Sequence, residues 1–222
     1  MVKIISSHYE LGQKKESLKD LCEINKDWDY DRLILKTGIK NRHVLAENET
    51  PEALSIKTGR ACINKSKNKN VDGIIYVTQS PSLPLPTRAC FLQDKLGINK
   101  NSFAFDINQG CSGFVYALSV ATSLIKNECA SRVLIICADH YSKYISKRDR
   151  TSRPIFSDAA AAVMLEKSET NKIVIYLRSK AEYVKDKKTG GKKLYYRNLV
   201  EKGQFLTELI ATSATENPVT SS

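Results

Sequence analysis

Short runs rich in β-branched residues alternate along this chain with longer stretches of helical periodicity. Val71–Val77 (VDGIIYV), Phe103–Ile107 (FAFDI), Arg132–Ala138 (RVLIICA), Ala160–Glu166 (AAAVMLE) and Lys172–Arg178 (KIVIYLR) read as strands. Two of them are apolar on both faces, which places them in the middle of a sheet covered on each side. Between the strands, Thr50-Pro51 reads as an N-cap with proline in the first turn, opening a helix to about Lys65. Thr87 to Leu96 reads as a second helix, stopped by Gly97, and Cys111 to Asn127 as a third. Strand and helix in alternation predict an α/β layered domain with a mainly parallel sheet flanked by helices.

The third helix carries the candidate chemistry. Gly113, Ala117 and Ala121 form a stripe of small residues, and Phe114, Val115, Leu118, Val120, Leu124 and Ile125 cover most of the remainder. A helix apolar nearly all round belongs in a domain centre, which puts Cys111, at its tip, at the bottom of an apolar pocket. Backbone N–H groups and the positive end of the helix dipole favour a thiolate there and make the cysteine a nucleophile. On spacing alone, an ordinary buried thiol explains Cys111 equally well.

Composition narrows the setting. With 222 residues, 41% hydrophobic and 27% charged, the chain can bury a substantial core, and wholesale disorder is excluded. Met1–Glu10 offers neither a signal-peptide core nor a membrane span, so a cytoplasmic location without membrane partners is expected. The six cysteines form no C-x-x-C pair, which predicts mostly buried thiols rather than a disulfide framework or metal site. The formal charge is +11, and residues 178–202 contribute nine basic against three acidic side chains. That stretch reads as a solvated face or disordered tail, and the Thr/Ser-rich end ATSATENPVTSS has little to bury. No nucleic-acid-binding signature accompanies the charge, so nucleic acid is not an expected partner.

The string Asp106-Ile107-Asn108-Gln109-Gly110-Cys111-Ser112-Gly113-Phe114 resembles the nucleophile motif of the beta-ketoacyl-acyl carrier protein synthase III family of thiolase-fold condensing enzymes. Three other blocks agree in order: Thr37-Gly38-Ile39 with Arg42-His43, Ala138-Asp139 closing a strand, and Asp149-Arg150 followed by Ile155-Phe156-Ser157-Asp158-Ala159. The resemblance covers roughly residues 30–166 and implies a thiolase-like layered fold. Residues 1–170 would form the N-terminal domain with its nucleophilic cysteine, and residues 171–222 an incomplete or divergent start of the C-terminal domain.

The activity implied is acyl transfer from a thioester to Cys111, then decarboxylative Claisen condensation with malonyl-acyl carrier protein in fatty-acid or related acyl-chain synthesis. The Cys111 N–H would form part of the oxyanion hole. The implied substrates and partners are acyl-CoA and acyl carrier protein, with no cofactor, no metal and a homodimeric state. Arg150 matches an arginine near the mouth that contacts the adenine end of CoA, Arg32 occupies the place of a CoA-stacking tryptophan while Trp28 lies four residues earlier, and Leu85 matches a residue reaching into the partner's acyl pocket. Lys143, Lys147, Arg148, Arg150 and Arg153 would form a basic rim for the acidic carrier protein. Ser157 and Ala159 replace two glycines of the family pattern and are expected to crowd a tight turn.

Family catalysis also uses a histidine and an asparagine from the C-terminal half, and none of His8, His43 and His140 matches that position. A truncated or interrupted member is the resulting expectation. The alternatives are a non-catalytic remnant or partner subunit, or a related condensing enzyme of the hydroxymethylglutaryl-CoA synthase or polyketide type.

Overall fold

The computed structural model describes residues 2–83 and 85–169, together with the backbone of strands 178–185 and 192–199. The elements run β1 (Val2–Leu11), β2 (Lys14–Ser17), α1 (Leu18–Ile24), α2 (Tyr30–Thr37), β3 (Asn41–Val44), α3 (Pro51–Lys65), β4 (Gly73–Val77), α4 (Arg88–Leu96), β5 (Phe103–Ile107), α5 (Gly113–Lys126), β6 (Arg132–Asp139), β7 (Ala159–Lys167), β8 (Arg178–Lys185) and β9 (Lys192–Leu199).

Five strands form one sheet in the order β1-β7-β6-β4-β5. β4 is parallel to both β5 and β6, whereas β7 is antiparallel to β6 and to β1. Four strands therefore point one way and β7 alone reverses, which is the mainly parallel sheet expected from the alternating pattern. β4, with its GIIYV sequence, is buried along its whole length, as a central strand covered on both faces must be. Ile74, Tyr76, Leu134, Ile136 and Met164 point to the face covered by α3 and α4, through Leu54, Cys62, Ala89 and Leu92. Ile75, Val77, Val133, Ile135 and Leu165 point to the opposite face and meet Ala117, Leu118, Ala121 and Ile125 of α5. Each fully buried aliphatic side chain of this kind contributes about 1.5–3 kcal/mol.

Local chemistry sets the helix ends. The Thr50 side chain accepts from Ala53 N at 3.1 Å, and Pro51 opens α3 as expected. α4 departs from the sequence reading, because Thr87 makes no side-chain cap. Asp106 of β5 takes over, its two oxygens accepting from Arg88 N and Ala89 N at 2.8 Å each. Gly97 ends α4 in the left-handed region at φ 69°. Further upstream, α1 carries a capping box between Ser17 and Asp20, and Asp29 caps α2.

Of the two alternatives for the basic stretch 178–202, a solvated face or a disordered tail, β8 and β9 depart from the second, because they pair antiparallel from Arg178↔Leu199 to Lys185↔Lys192. The expected strand Lys172–Arg178 lies outside the described residues except at its last position, where β8 begins.

Candidate active site

Strand β5 ends at Ile107, and the chain turns through a short 3₁₀ segment, Gly110–Ser112, directly into α5. Gly110 has φ 53°, in the left-handed region that favours glycine. Gly113 is needed for a different reason: a Cβ there would lie 2.5 Å from Val77 Cγ1. The first turn of α5 is thereby pressed onto the end of β4, and the Ser112 hydroxyl, donating to Gln109 O at 2.9 Å, ties the turn to itself. Cys111 is thus fixed at the strand–turn–helix junction that its sequence context predicts.

Its depth differs from the expectation of a pocket bottom, because Cys111 is exposed. The physical reason lies in α5. Among the described residues one sheet face packs on this helix, burying Gly113, Ala117, Leu118, Ala121 and Ile125 and leaving Phe114, Val120 and Leu124 half-buried. A helix apolar all round needs a second covering layer before its tip becomes a pocket floor.

The carboxyl ends of the neighbouring strands form a polar shelf beside this turn. Asp139, at the end of β6, accepts on Oδ1 from Thr78 Oγ1 (3.0 Å), Gln79 N (2.8 Å) and Ser80 Oγ (2.9 Å). Ser80 Oγ accepts in turn from His140 N at 2.8 Å. This grip places Gln79 Oε1 3.9 Å from where a Gly110 Cβ would stand. Farther along, the fully buried Asp158 accepts from Leu45 N (3.0 Å), Ser142 N (2.9 Å) and Ser142 Oγ (2.6 Å), with His140 Nε2 at 3.8 Å. A different cavity, of about 780 Å³, opens at the amino ends of β4, β5 and β6, bordered by Asp72, Ser102, Cys129 and Ser131. It is at the opposite end of these strands from Cys111, whereas ligands of open α/β sheets bind at the carboxyl ends of strands.

The thiols separate into three groups by exposure, which corrects the expectation that most are buried. Cys90, Cys111 and Cys129 are exposed, Cys62 is buried, and Cys22 and Cys137 are intermediate. Burial pushes the Cys137 thiol up to about 12, with the Asp139 charge adding to it. Burial likewise raises Cys62, although hydrogen bonding to Ser6 opposes the shift. These two are poor nucleophiles near neutral pH.

The other expected site residues are dispersed around this framework. Arg150 is exposed beside the turn in which Asp149 Oδ1 accepts from Thr151 N and Ser152 N. Arg32 is exposed on α2, and Leu85 is 82% exposed ahead of α4. Trp28 is buried at 6% exposure and is therefore core rather than a stacking platform. Lys143, Lys147, Arg148 and Arg150 are exposed as a basic rim requires, but Arg153 turns inward to Glu16 at 3.4 Å. Ser157 and Ala159 crowd nothing through positive φ, since Glu128 is the one non-glycine with that geometry among the described residues. The Ser157 hydroxyl instead accepts from His43 N at 3.1 Å.

The histidines are engaged elsewhere. His43 Nδ1 lies 3.0 Å from Gly12 O, and His8 sits between Glu10 (3.0 Å) and Lys65 (3.1 Å). Among the described residues no group of three or more His, Cys, Asp or Glu side chains is placed to hold a metal ion, and no helix is long and apolar enough to cross a membrane. Sequence reasoning missed Asp139 and Asp158 as organisers of the strand ends and Glu16 as a charge hub. For the two aspartates, an acid directly flanking an apolar strand was the available signal.

Comparison with known proteins bears on the same region. The family described as 3-oxoacyl-[acyl-carrier-protein] synthase III matches residues 105–181, a stretch that includes Cys111. The beta-ketoacyl-[acyl-carrier-protein] synthase III of Neisseria meningitidis serogroup A is 34% identical over 173 residues, 77% of this chain and 53% of that protein. A crystal structure of a 3-oxoacyl-(acyl-carrier-protein) synthase III superposes with TM-score 0.76 at 33% identity, covering 82% of this chain and 55% of the other. The synthase III from Aquifex aeolicus gives TM-score 0.74 at 31% identity, covering 87% and 64%. The chain spans about half the length of the curated relatives it matches.

Proposed function

Because this chain is related in sequence and fold to part of the beta-ketoacyl-[acyl-carrier-protein] synthase III family, we propose that it accepts an acyl group from a thioester onto Cys111. The observation that carries this reading is the placement of an exposed cysteine at the junction of β5 and α5, within the stretch matched by the family. In the step proposed, Cys111 Sγ loses its proton and attacks the thioester carbonyl carbon. The new C–S bond forms, the bond to the CoA or carrier sulfur breaks, and that sulfur leaves with the proton given up by Cys111. Negative charge on the attacked oxygen would be met by the Cys111 N–H and the start of α5.

Condensation of the acyl group with malonyl-acyl carrier protein is the second half of the reaction that we propose for the whole enzyme. It needs donors that stabilise the enolate formed on decarboxylation. The His8 and His43 rings are engaged in other contacts and His140 Nε2 faces Asp158 at 3.8 Å, so we assign those donors to the part of the synthase III relatives that this chain does not match. Arg150, Arg32 and Leu85 are proposed for substrate binding, the exposed basic groups at 143–150 for the acidic carrier, and a homodimer in the cytoplasm as the working state. These assignments rest on the resemblance.

The openness of Cys111 favours one competing reading, a partner subunit or non-catalytic remnant. Intact-mass measurement after incubation with acetyl-CoA and longer acyl-CoAs separates the two. Acyl transfer predicts one added acyl group in wild type and none in Cys111→Ala. An absent adduct, or an equal one in the variant on the exposed Cys90 or Cys129, would leave the competing reading.

A further inference from the structure

The least expected polar cluster in the molecule is built around one carboxylate. Glu16, on β2, accepts on Oε2 from Arg42 Nη2 (2.6 Å), Arg42 Nε (3.0 Å) and Arg153 Nη2 (3.4 Å), while Lys14 Nζ lies 3.2 Å from Oε1. The Arg42 side chain is only 2% exposed, and its remaining nitrogen Nη1 donates to Phe156 O at 3.0 Å. The β2–β3 strand pair is laced to the 153–158 segment by two further bonds, Asp158 N to His43 O (2.7 Å) and His43 N to Ser157 Oγ (3.1 Å). Burial by itself would raise the Glu16 carboxyl, but the hydrogen bonds from Arg42 and Lys14 and the charges of Arg42 and Arg153 outweigh it and hold the group below its ordinary value.

The arrangement has a directional consequence. Without the carboxylate, a buried guanidinium would face the half-buried Arg153 with no anion between them, and Arg153 would be driven outward. Arg153 N also donates to Asp149 O at 3.1 Å, closing the turn that displays Arg150. The turn bearing Arg150 is therefore anchored, through Arg153 and Glu16, on the β2–β3 strand pair, between whose strands α1 and α2, with Arg32, are inserted.

We propose that Glu16 is a positioning residue, whose grip on Arg42 and Arg153 holds the Arg150 turn in the geometry that receives the phosphates of a pantetheine thioester. The inference rests on the binding role proposed above for Arg150. Its ligand chemistry, a phosphate group on a pantetheine carrier, is shared by CoA and by a phosphopantetheine-bearing carrier protein.

Equilibrium binding of CoA, and separately of phosphopantetheinylated acyl carrier protein, tests it with wild type, Glu16→Gln, Glu16→Asp and Arg150→Ala. Glu16→Gln should weaken one or both ligands by about three- to tenfold, the range expected for a lost charge-assisted contact. Arg150→Ala should weaken the same ligand, and Glu16→Asp should recover part of the loss. The ligand affected identifies the source. Acylation of Cys111 by acetyl-N-acetylcysteamine, which carries no phosphate, should keep its wild-type rate in Glu16→Gln, an outcome that general loosening of the fold would not give. If Glu16→Gln fails to fold, Arg153→Gln removes the outer tie alone and should give the same selective weakening.

Unchanged binding of both ligands in the folded variants, equal losses toward N-acetylcysteamine and CoA thioesters, or no binding of either ligand by wild type would overturn the inference. Failure of Cys111 to become acylated while Glu16-dependent binding persists would overturn the proposed acyl transfer and leave this inference standing.

Discussion

Replacing Gly113 by alanine adds a single methyl group at the point where α5 meets β4. Its position, 2.5 Å from Val77 Cγ1, is about an ångström inside ordinary contact, and Val77 is a β-branched side chain buried at 6% exposure with little freedom to rotate away. Overpacking of this kind costs about 1–3 kcal/mol, against which alanine's helical preference over glycine returns about 1 kcal/mol at most. The net expectation is a loss of up to about 2 kcal/mol, or up to roughly 8 °C in Tm for a chain of this size. Chemical denaturation of Gly113→Ala, Val77→Ala and the double variant measures it directly. Because the clash needs both groups, the double variant should be less destabilised than the two single losses added together. The displaced helix start should also change the rate at which Cys111 reacts with a thiol reagent. Strictly additive losses in the double variant would refute the proposed close approach at the turn.

Removal of the Asp106 carboxylate should destabilise α4 by about 1–2 kcal/mol, since it is the side-chain cap of two backbone donors, whereas Thr87→Ala should stay within about 0.5 kcal/mol; thermal denaturation of the two variants side by side decides this. In the folded protein Cys90, Cys111 and Cys129 should react with a disulfide reagent, and Cys62 only after denaturant is added; early labelling of Cys62 would contradict its burial. The depressed Glu16 carboxyl gives a signed pH dependence. Its stabilisation should be fully present above the ordinary value of 4.5 and disappear as pH falls through the lower folded value, so the stability gap between wild type and Glu16→Gln should narrow below about pH 4.5; a gap that widens on acidification would refute the ion cluster.

Much of the central sheet was legible because its strands are uniformly apolar. β4, β5, β6 and β7 fall within two residues of their expected limits, as do α3, α4 and α5. The amino-terminal elements were not legible, and each has a physical reason. β1 is an edge strand whose alternation is broken by a register shift between Ile4 and Ser6, so its pattern has no single period. α1 and α2 contain seven and eight residues, too few for a periodicity to stand out.

The position of Cys111 at the head of a helix could be read from strand, turn and helix in succession. Its exposure could not, because depth depends on what lies over Phe114, Val120 and Leu124 rather than on the helix itself. The cap of α4 was hidden for a related reason: the residue that supplies it, Asp106, is eighteen positions away from Arg88 and belongs to another element. Glu16 was hidden in the same way, since Arg153, its outer partner, lies 137 residues along the chain.

The claim that matters most is that Cys111, and not Cys90 or Cys129, carries the acyl group. Peptide mapping after brief exposure to an isotopically labelled acetyl thioester tests it directly. The account predicts label on the peptide containing Cys111 at early times, with the other two exposed thiols nearly blank. Label spread evenly over the three, or absent from Cys111, would contradict it.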